Sequence, residues 1–200
     1  ELKTEHLGDR QIWNEFRAGD RTAFTRLFES HYRQLYSYGK QFLVDASLTE
    51  DAIQDLFITL WRTRENLSEV DNVKFYLFRC LRRNIRRLSE REKRSQLQDF
   101  SVTTDILFSQ LQTPDFTDRN DDALLNPRLK SIIDQLPKRQ REAVLLRYYE
   151  NFKTDEIAVI MGVSEKTVRN TLFNAMTSLR ASSDLLKACF RLILILLLFA

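Results

Sequence analysis

Only four glycines and three prolines punctuate these 200 residues. A β protein needs a turn signal about every 8–12 residues, and a collagen-like or Pro-rich chain needs far more of both breakers. The stretches between them are rich in Leu, Arg, Glu and Gln, all good helix formers. An all-α fold follows. A hydrophobic content of 43% supports real cores and excludes a wholly disordered chain. At roughly 100–200 residues per domain, one or two compact units are expected.

Cys80 and Cys189 are the only cysteines, so no disulfide framework is available and no Cys/His cluster has zinc spacing. His6 and His31 have no nucleophile or metal partner at motif spacing. Neither a catalytic constellation nor a cofactor or metal site is expected. The opening Glu1-Leu2-Lys3-Thr4 is not an apolar signal region, which points to a reducing cytoplasm.

The net charge of +3 conceals an uneven distribution. From Gln11 to about Ser89 the text is helical, with polar joints near Gly19-Asp20, Asp45-Ser47 and Ser68-Asn72. Between Lys74 and Arg94 the bases Lys74, Arg79, Arg82, Arg83, Arg86, Arg87, Arg91, Lys93 and Arg94 face only Glu90 and Glu92. Phe78, Leu81, Ile85 and Leu88 form the buried seam of that helix, and Phe75 and Tyr76 sit at its start. A basic helix with aromatics suits single-stranded DNA: cations meet phosphates and flat rings meet unstacked bases. A plain amphipathic surface helix has the same pattern. From Gln96 to Asp122 the periodicity fades, and Asp99, Asp105, Asp115, Asp118, Asp121 and Asp122 face one base, Arg119. This reads as an acidic linker, with Ile106-Leu107-Phe108 as a patch that could dock.

Helical text returns at Ala123. Pro137 sits where a helix can start, and Ala143, Val144, Leu145, Leu146, Tyr148 and Tyr149 read as a buried stripe. A second helix fits Thr154 to Met161, with Asp155 and Glu156 at its positive end. Gly162 ends it, and Ser164 can cap the next helix. That helix places Val168, Leu172, Ala175 and Leu179 inward and Lys166, Thr167, Arg169, Asn170, Phe173 and Asn174 outward. Two short helices around a Gly-containing turn make a helix-turn-helix, whose second helix can enter a major groove. A helical hairpin with a solvated polar face fits the same text.

The C-terminal text closely resembles the fourth conserved region of bacterial sigma factors of the extracytoplasmic-function group, within the sigma-70 family. The matching residues are Leu136-Pro137, Arg141-Glu142-Ala143-Val144, Tyr148, Glu156-Ile157-Ala158, Met161-Gly162-Val163-Ser164 and Thr167-Val168-Arg169-Asn170-Thr171-Leu172. The resemblance implies that Lys166, Thr167, Arg169, Asn170, Phe173 and Asn174 read the minus-thirty-five promoter element. Thr171 and Asn174 stand where arginines are common in the family. The N-terminal half is similar to the same family through Trp13, Phe16-Arg17-Ala18-Gly19-Asp20, Ala23-Phe24, Leu27-Phe28, Tyr32, Leu35-Tyr36 and the stretch Thr49 to Trp61. In that stretch Gln54 and Asp55, with Thr59, match the contact that the family makes with the clamp of the polymerase largest subunit. The loop Arg62 to Asn72 and the basic helix match the place where the family melts and holds the minus-ten element. This assigns Asn66, Asn72, Lys74, Phe75, Tyr76, Arg79, Arg82, Arg83 and Arg86 to that task.

The resemblance implies two all-α domains, sigma region 2 over 10–94 and a helix-turn-helix region 4 over 123–183. They are joined by the acidic linker 95–122 and followed by an apolar tail at 184–200. Its implied partners are core RNA polymerase (clamp and flap), duplex and single-stranded promoter DNA, and an anti-sigma factor or other regulator. Leu185 to Ala200 would be about 24 Å long as a helix, short of the ~20 residues a membrane span needs. An interfacial anchor giving weak membrane association, a partner-binding helix and a cover for the C-terminal unit stay open. Phosphodiester chemistry would belong to the polymerase, so a binding protein and not an enzyme is expected. The rivals are a stand-alone helix-turn-helix regulator of duplex DNA, which has no need of Gln54-Asp55, and a membrane-associated adaptor using the tail.

Overall fold

The computed structural model describes residues 2–43, 45–95 and 127–198, with side chains at 8–43, 45–90 and 131–181. The acidic linker and its Ile106-Leu107-Phe108 patch lie outside the described residues. All regular structure among the described residues is helical: α1 Leu2–Arg17, α2 Arg21–Gly39, α3 Ala46–Thr63, a 3₁₀ turn Arg64–Asn66, α4 Val73–Ser95, α5 Pro127–Asp134, α6 Lys138–Val144, a π turn Leu145–Tyr149, α7 Thr154–Met161 and α8 Glu165–Leu198.

The joints fall where short polar side chains can replace missing helical hydrogen bonds. Asp20 Oδ1 accepts from the N–H groups of Thr22 and Ala23 at 2.6 and 3.2 Å. Those backbone bonds to Ala23 and Thr22 hold its carboxyl below the ordinary aspartate value. Asp45 caps α3 through Ser47 N–H at 2.9 Å, Asn72 caps α4 through Phe75 N–H at 2.9 Å, and Ser164 caps α8 through Thr167 N–H at 3.2 Å. Gly162 takes the left-handed conformation, φ 67°, that ends α7. Gly39 is needed for space: a Cβ there would lie 2.6 Å from Thr49 Cγ2, where α2 meets α3.

Helices α1–α4 enclose Trp13, Phe16, Leu27, Leu35, Ile53, Phe57, Leu77, Phe78 and Leu81, all fully buried. Their spacing is the i, i+3, i+4 pattern of the sequence. The core does not stop at α4. Leu146, Phe152, Ile157, Ala158, Ile160 and Val168 of the C-terminal unit join the same cluster, while Leu136, Val144 and Ala175 form a small separate one. Phe152 is the wedge, its ring 5.1 Å from that of Phe78 and 6.3 Å from that of Phe75. The helical text expected on either side of the linker thus packs into one continuous core.

One local detail corrects the sequence reading. Tyr148, expected in the buried stripe, is 55% exposed. The π turn Leu145–Tyr149 inserts an extra residue and rotates the chain, so Leu146 points inward and Tyr148 outward. The start expected at Pro137 is found, with Pro137 as the N-cap residue directly before α6. The turn continues through Asn151, a non-glycine at φ 58°, and delivers Phe152 to the core.

Candidate functional site

Three faces carry the residues singled out from sequence. On α8, Val168 and Ala175 are fully buried, which fixes the helix roll. Lys166, Thr167, Arg169, Asn170, Phe173 and Asn174 are then all exposed. Phe173 shows 72% of its surface. Arg169 pairs with Glu165, one turn earlier at 3.0 Å, and both are exposed. Helix, left-handed glycine, Ser cap and helix recur as expected, giving a second helix with a capped N-terminal turn and an exposed polar face.

On α3, Ala52, Ile53, Leu56, Phe57 and Leu60 are buried. Asp55 and Thr59 are exposed and Gln54 is half-buried beside them. These three form a small polar ridge that internal packing does not consume.

The third face, on α4 and the loop before it, is different. Asn66, Arg79, Arg83 and Arg86 are exposed. Tyr76 turns toward α1, its ring 5.2 Å from Trp13, and burial pushes its phenol up to about 12. Asn72, Lys74, Phe75 and Arg82 face the C-terminal unit instead of solvent. Asn72 donates from Nδ2 to Glu156 Oε1 at 2.9 Å. The other Glu156 oxygen accepts from Lys153 N–H at 2.8 Å and caps α7. Lys74 Nζ lies 2.7 Å from Glu150 Oε2 and also over the Phe152 ring, 5.6 Å from its centre. Arg82 grips Glu142 as a fork, Nε to Oε1 at 2.7 Å and Nη2 to Oε2 at 3.1 Å. Its guanidinium also stacks on Phe42, 4.3 Å from the ring centre.

Two family models match the chain, one described as Sigma-70 region 2 over residues 27–95 and one as Sigma-70, region 4 over residues 127–179. The ECF RNA polymerase sigma factor SigL of Mycobacterium tuberculosis is 25% identical over 164 residues, covering 82% of this chain and 90% of its own. The RNA polymerase sigma factor NccH of Alcaligenes xylosoxydans xylosoxydans is 25% identical over 186 residues, covering 89% and 96%. The chain belongs to the sigma-70 family, in its extracytoplasmic-function group. In fold it is similar to CnrH, solved with the cytosolic domain of CnrY, with a TM-score of 0.59 at 21% identity over 88% of this chain and 97% of that one. It is also similar to RpoE of Bartonella quintana, solved with the anti-sigma factor NepR, with a TM-score of 0.54 at 21% identity over 79% and 94%.

As a sigma factor the protein binds core RNA polymerase, directs it to promoters and acts in transcription initiation. The region 2 match over residues 27–95 accounts for α2–α4, which a stand-alone helix-turn-helix regulator would leave unexplained. Among the described residues of this sigma factor no helix is long and apolar enough to cross a membrane.

Among the residues that sequence reasoning missed is Glu142, whose side chain is only 3% exposed. It accepts from Tyr38 Oη at 2.8 Å as well as from Arg82. Burial, and then the charge of Glu142, push the Tyr38 phenol well above its ordinary value. Burial works against the Arg82 cation, but its hydrogen bonds to Glu142 and the carboxylate charge outweigh that and raise its pKa. A buried carboxylate needs a cation and hydrogen bonds to be tolerated. The signal was local: a glutamate set against the otherwise apolar Ala143, Val144 and Leu146.

Proposed function

We propose that three surfaces divide the work of promoter opening among the parts of this sigma factor. Gln54, Asp55 and Thr59 on α3 dock on the clamp of the polymerase largest subunit. Lys166, Thr167, Arg169, Asn170, Phe173 and Asn174 on α8 read the duplex minus-thirty-five element, and the C-terminal unit meets the polymerase flap. Asn66, Asn72, Lys74, Phe75, Tyr76, Arg79, Arg82, Arg83 and Arg86 hold the minus-ten strand once it has melted. The residues 10–94 and 123–183 are the two working units, and 95–122 is the tether between them. The protein works in the cytoplasm without chemistry of its own, under an anti-sigma factor or similar regulator, and the tail gives at most weak membrane association.

The observation that carries this reading is the outward face of α8, where every expected reader is exposed while Val168 and Ala175 on the other side are buried. Arg, Asn and Lys on such a face can meet guanine, adenine and phosphate respectively. The test with the simplest readout is on α3. Gln54→Ala with Asp55→Ala should leave stability within ~0.5 kcal/mol and strongly weaken binding to core polymerase in a pull-down or by anisotropy. Unchanged binding by the folded double variant would remove the α3 assignment.

A further inference from the structure

The part of α4 assigned to the melted strand is not free. Lys74, Arg82, Asn72 and Phe75 are each engaged by the C-terminal unit, through Glu150, Glu142, Glu156 and Phe152 respectively. These partners come from three successive elements, α6, the turn after the π segment, and α7. All four lie within one short stretch of chain, Glu142 to Glu156. Each contact uses a group DNA would use: an ammonium or guanidinium paired with carboxylate oxygens is a weaker partner for a phosphate, and Phe152 meets the half-buried Phe75 ring edge-on, 6.3 Å between centres, narrowing the room for a stacked base.

We propose that the C-terminal unit is a self-inhibitory cover for the strand-holding face of α4, with Glu142, Glu150 and Glu156 occupying the positions that DNA oxygens take in the open state. The proposal rests on the strand-holding reading given above. The cover is incomplete at one edge. Arg79, Arg82, Arg83, Arg86 and Arg87, with one acid, Glu90, which lies 3.8 Å from Arg86, line a cleft of about 400 Å³ whose other wall is Val159–Gly162 at the end of α7. Its exposed arginines can receive a polyanion while the cover is shut. Phosphates entering there then compete with Glu142 for Arg82, which lines the cleft and whose side chain keeps 21% of its surface. Opening exposes the face, and binding to DNA and closure of the cover exclude each other.

The test measures binding of a fluorescein-labelled single-stranded 20-mer deoxyoligonucleotide of mixed sequence to the full chain, with small-angle scattering on the same samples. Glu142→Gln with Glu150→Gln loosens the cover without touching an α4 residue. It should bind at least about fivefold more tightly than the unmodified chain, because affinity scales with the open fraction. Its radius of gyration should rise. Asp155→Asn with Glu29→Gln removes as much charge from exposed positions and should leave affinity unchanged. An equal gain in that control would show a general charge effect and overturn the cover. An expanded Gln variant with unchanged affinity would do the same. Where circular dichroism shows the double variant unfolded, Glu150→Gln alone takes its place. The unmodified chain offers an independent check: at saturating oligonucleotide it must expand, and a bound chain as compact as the free one refutes the proposal. Assayed separately, holoenzyme carrying Arg79→Ala with Arg83→Ala reports on strand holding itself. A normal open complex there removes the underlying reading and the proposal with it, whereas a defect there combined with a failed cover test removes the cover alone.

Discussion

Helices α4 and α8 look alike in sequence, each basic on one side and apolar on the other, and the structure treats them differently. The outward face of α8 is exposed from Lys166 to Asn174 except for Val168, Thr171 and Leu172, and its one described ion pair is a single-turn contact between exposed side chains. The corresponding face of α4 is shared. Arg79, Arg83 and Arg86 are exposed, whereas Asn72, Lys74 and Arg82 are tied to buried or half-buried glutamates sixty or more positions away. Substitution on α8 therefore probes recognition alone. On α4 it probes recognition and the docking of two halves at once, and the two effects separate only residue by residue.

The widest gap between the faces is expected at their aromatics. Phe152→Ala removes a ring that is 2% exposed between Phe75 and Phe78. It should cost about 3–5 kcal/mol, read as a lowered denaturant midpoint. Phe173→Ala on α8 should move that midpoint by no more than ~0.5 kcal/mol. A Phe152 loss as small as that of Phe173 would mean that the halves do not share a core.

The arginines come next. Arg82→Ala leaves the Glu142 carboxylate buried without its cation and should destabilise by about 3 kcal/mol, the lower end for such pairs because Arg82 partly reaches solvent. Arg79→Ala, one turn earlier and exposed, should stay within ~0.5 kcal/mol. Thermal unfolding of the two variants side by side sharpens the comparison, and equal losses would break it.

The caps give the smallest contrast. Ser164→Ala at the start of α8 should cost about 1 kcal/mol. Asn72→Ala at the start of α4 loses a similar cap and also the bond to charged Glu156, for about 1.5–3 kcal/mol more. Equal values would show that the Asn72–Glu156 bond contributes nothing to docking.

The elements that could be read from sequence are those whose signal is local. The joint at Asp20, the apolar stripe of α3 and the α7–Gly162–Ser164–α8 turn each carry their cap, breaker and period within a few residues. The exposure of the residues proposed as readers on α8 was legible for the same reason, since Val168 and Ala175 fix its roll. The contacts between the halves were not legible. Arg82 and Glu142 lie on different helices on either side of an aperiodic acidic stretch, and helical periodicity says nothing about which distant face a buried carboxylate will meet. Tyr148 went astray because a π turn changes phase without a glycine or proline to announce it. Phe152 was overlooked because it sits in a short turn, where a single aromatic has no period to reveal that it is core.

The central claim is that α4 holds a strand that exists only after melting, while α8 reads duplex. Arg79→Ala with Arg83→Ala tests it most directly, because both side chains are exposed and their loss should leave the fold intact. Permanganate footprinting of holoenzyme should show normal closed-complex occupancy, reduced thymine reactivity around the minus-ten element on linear DNA, and recovery of much of that loss on a pre-melted bubble template. Equal defects on both templates, or none on either, would contradict the account.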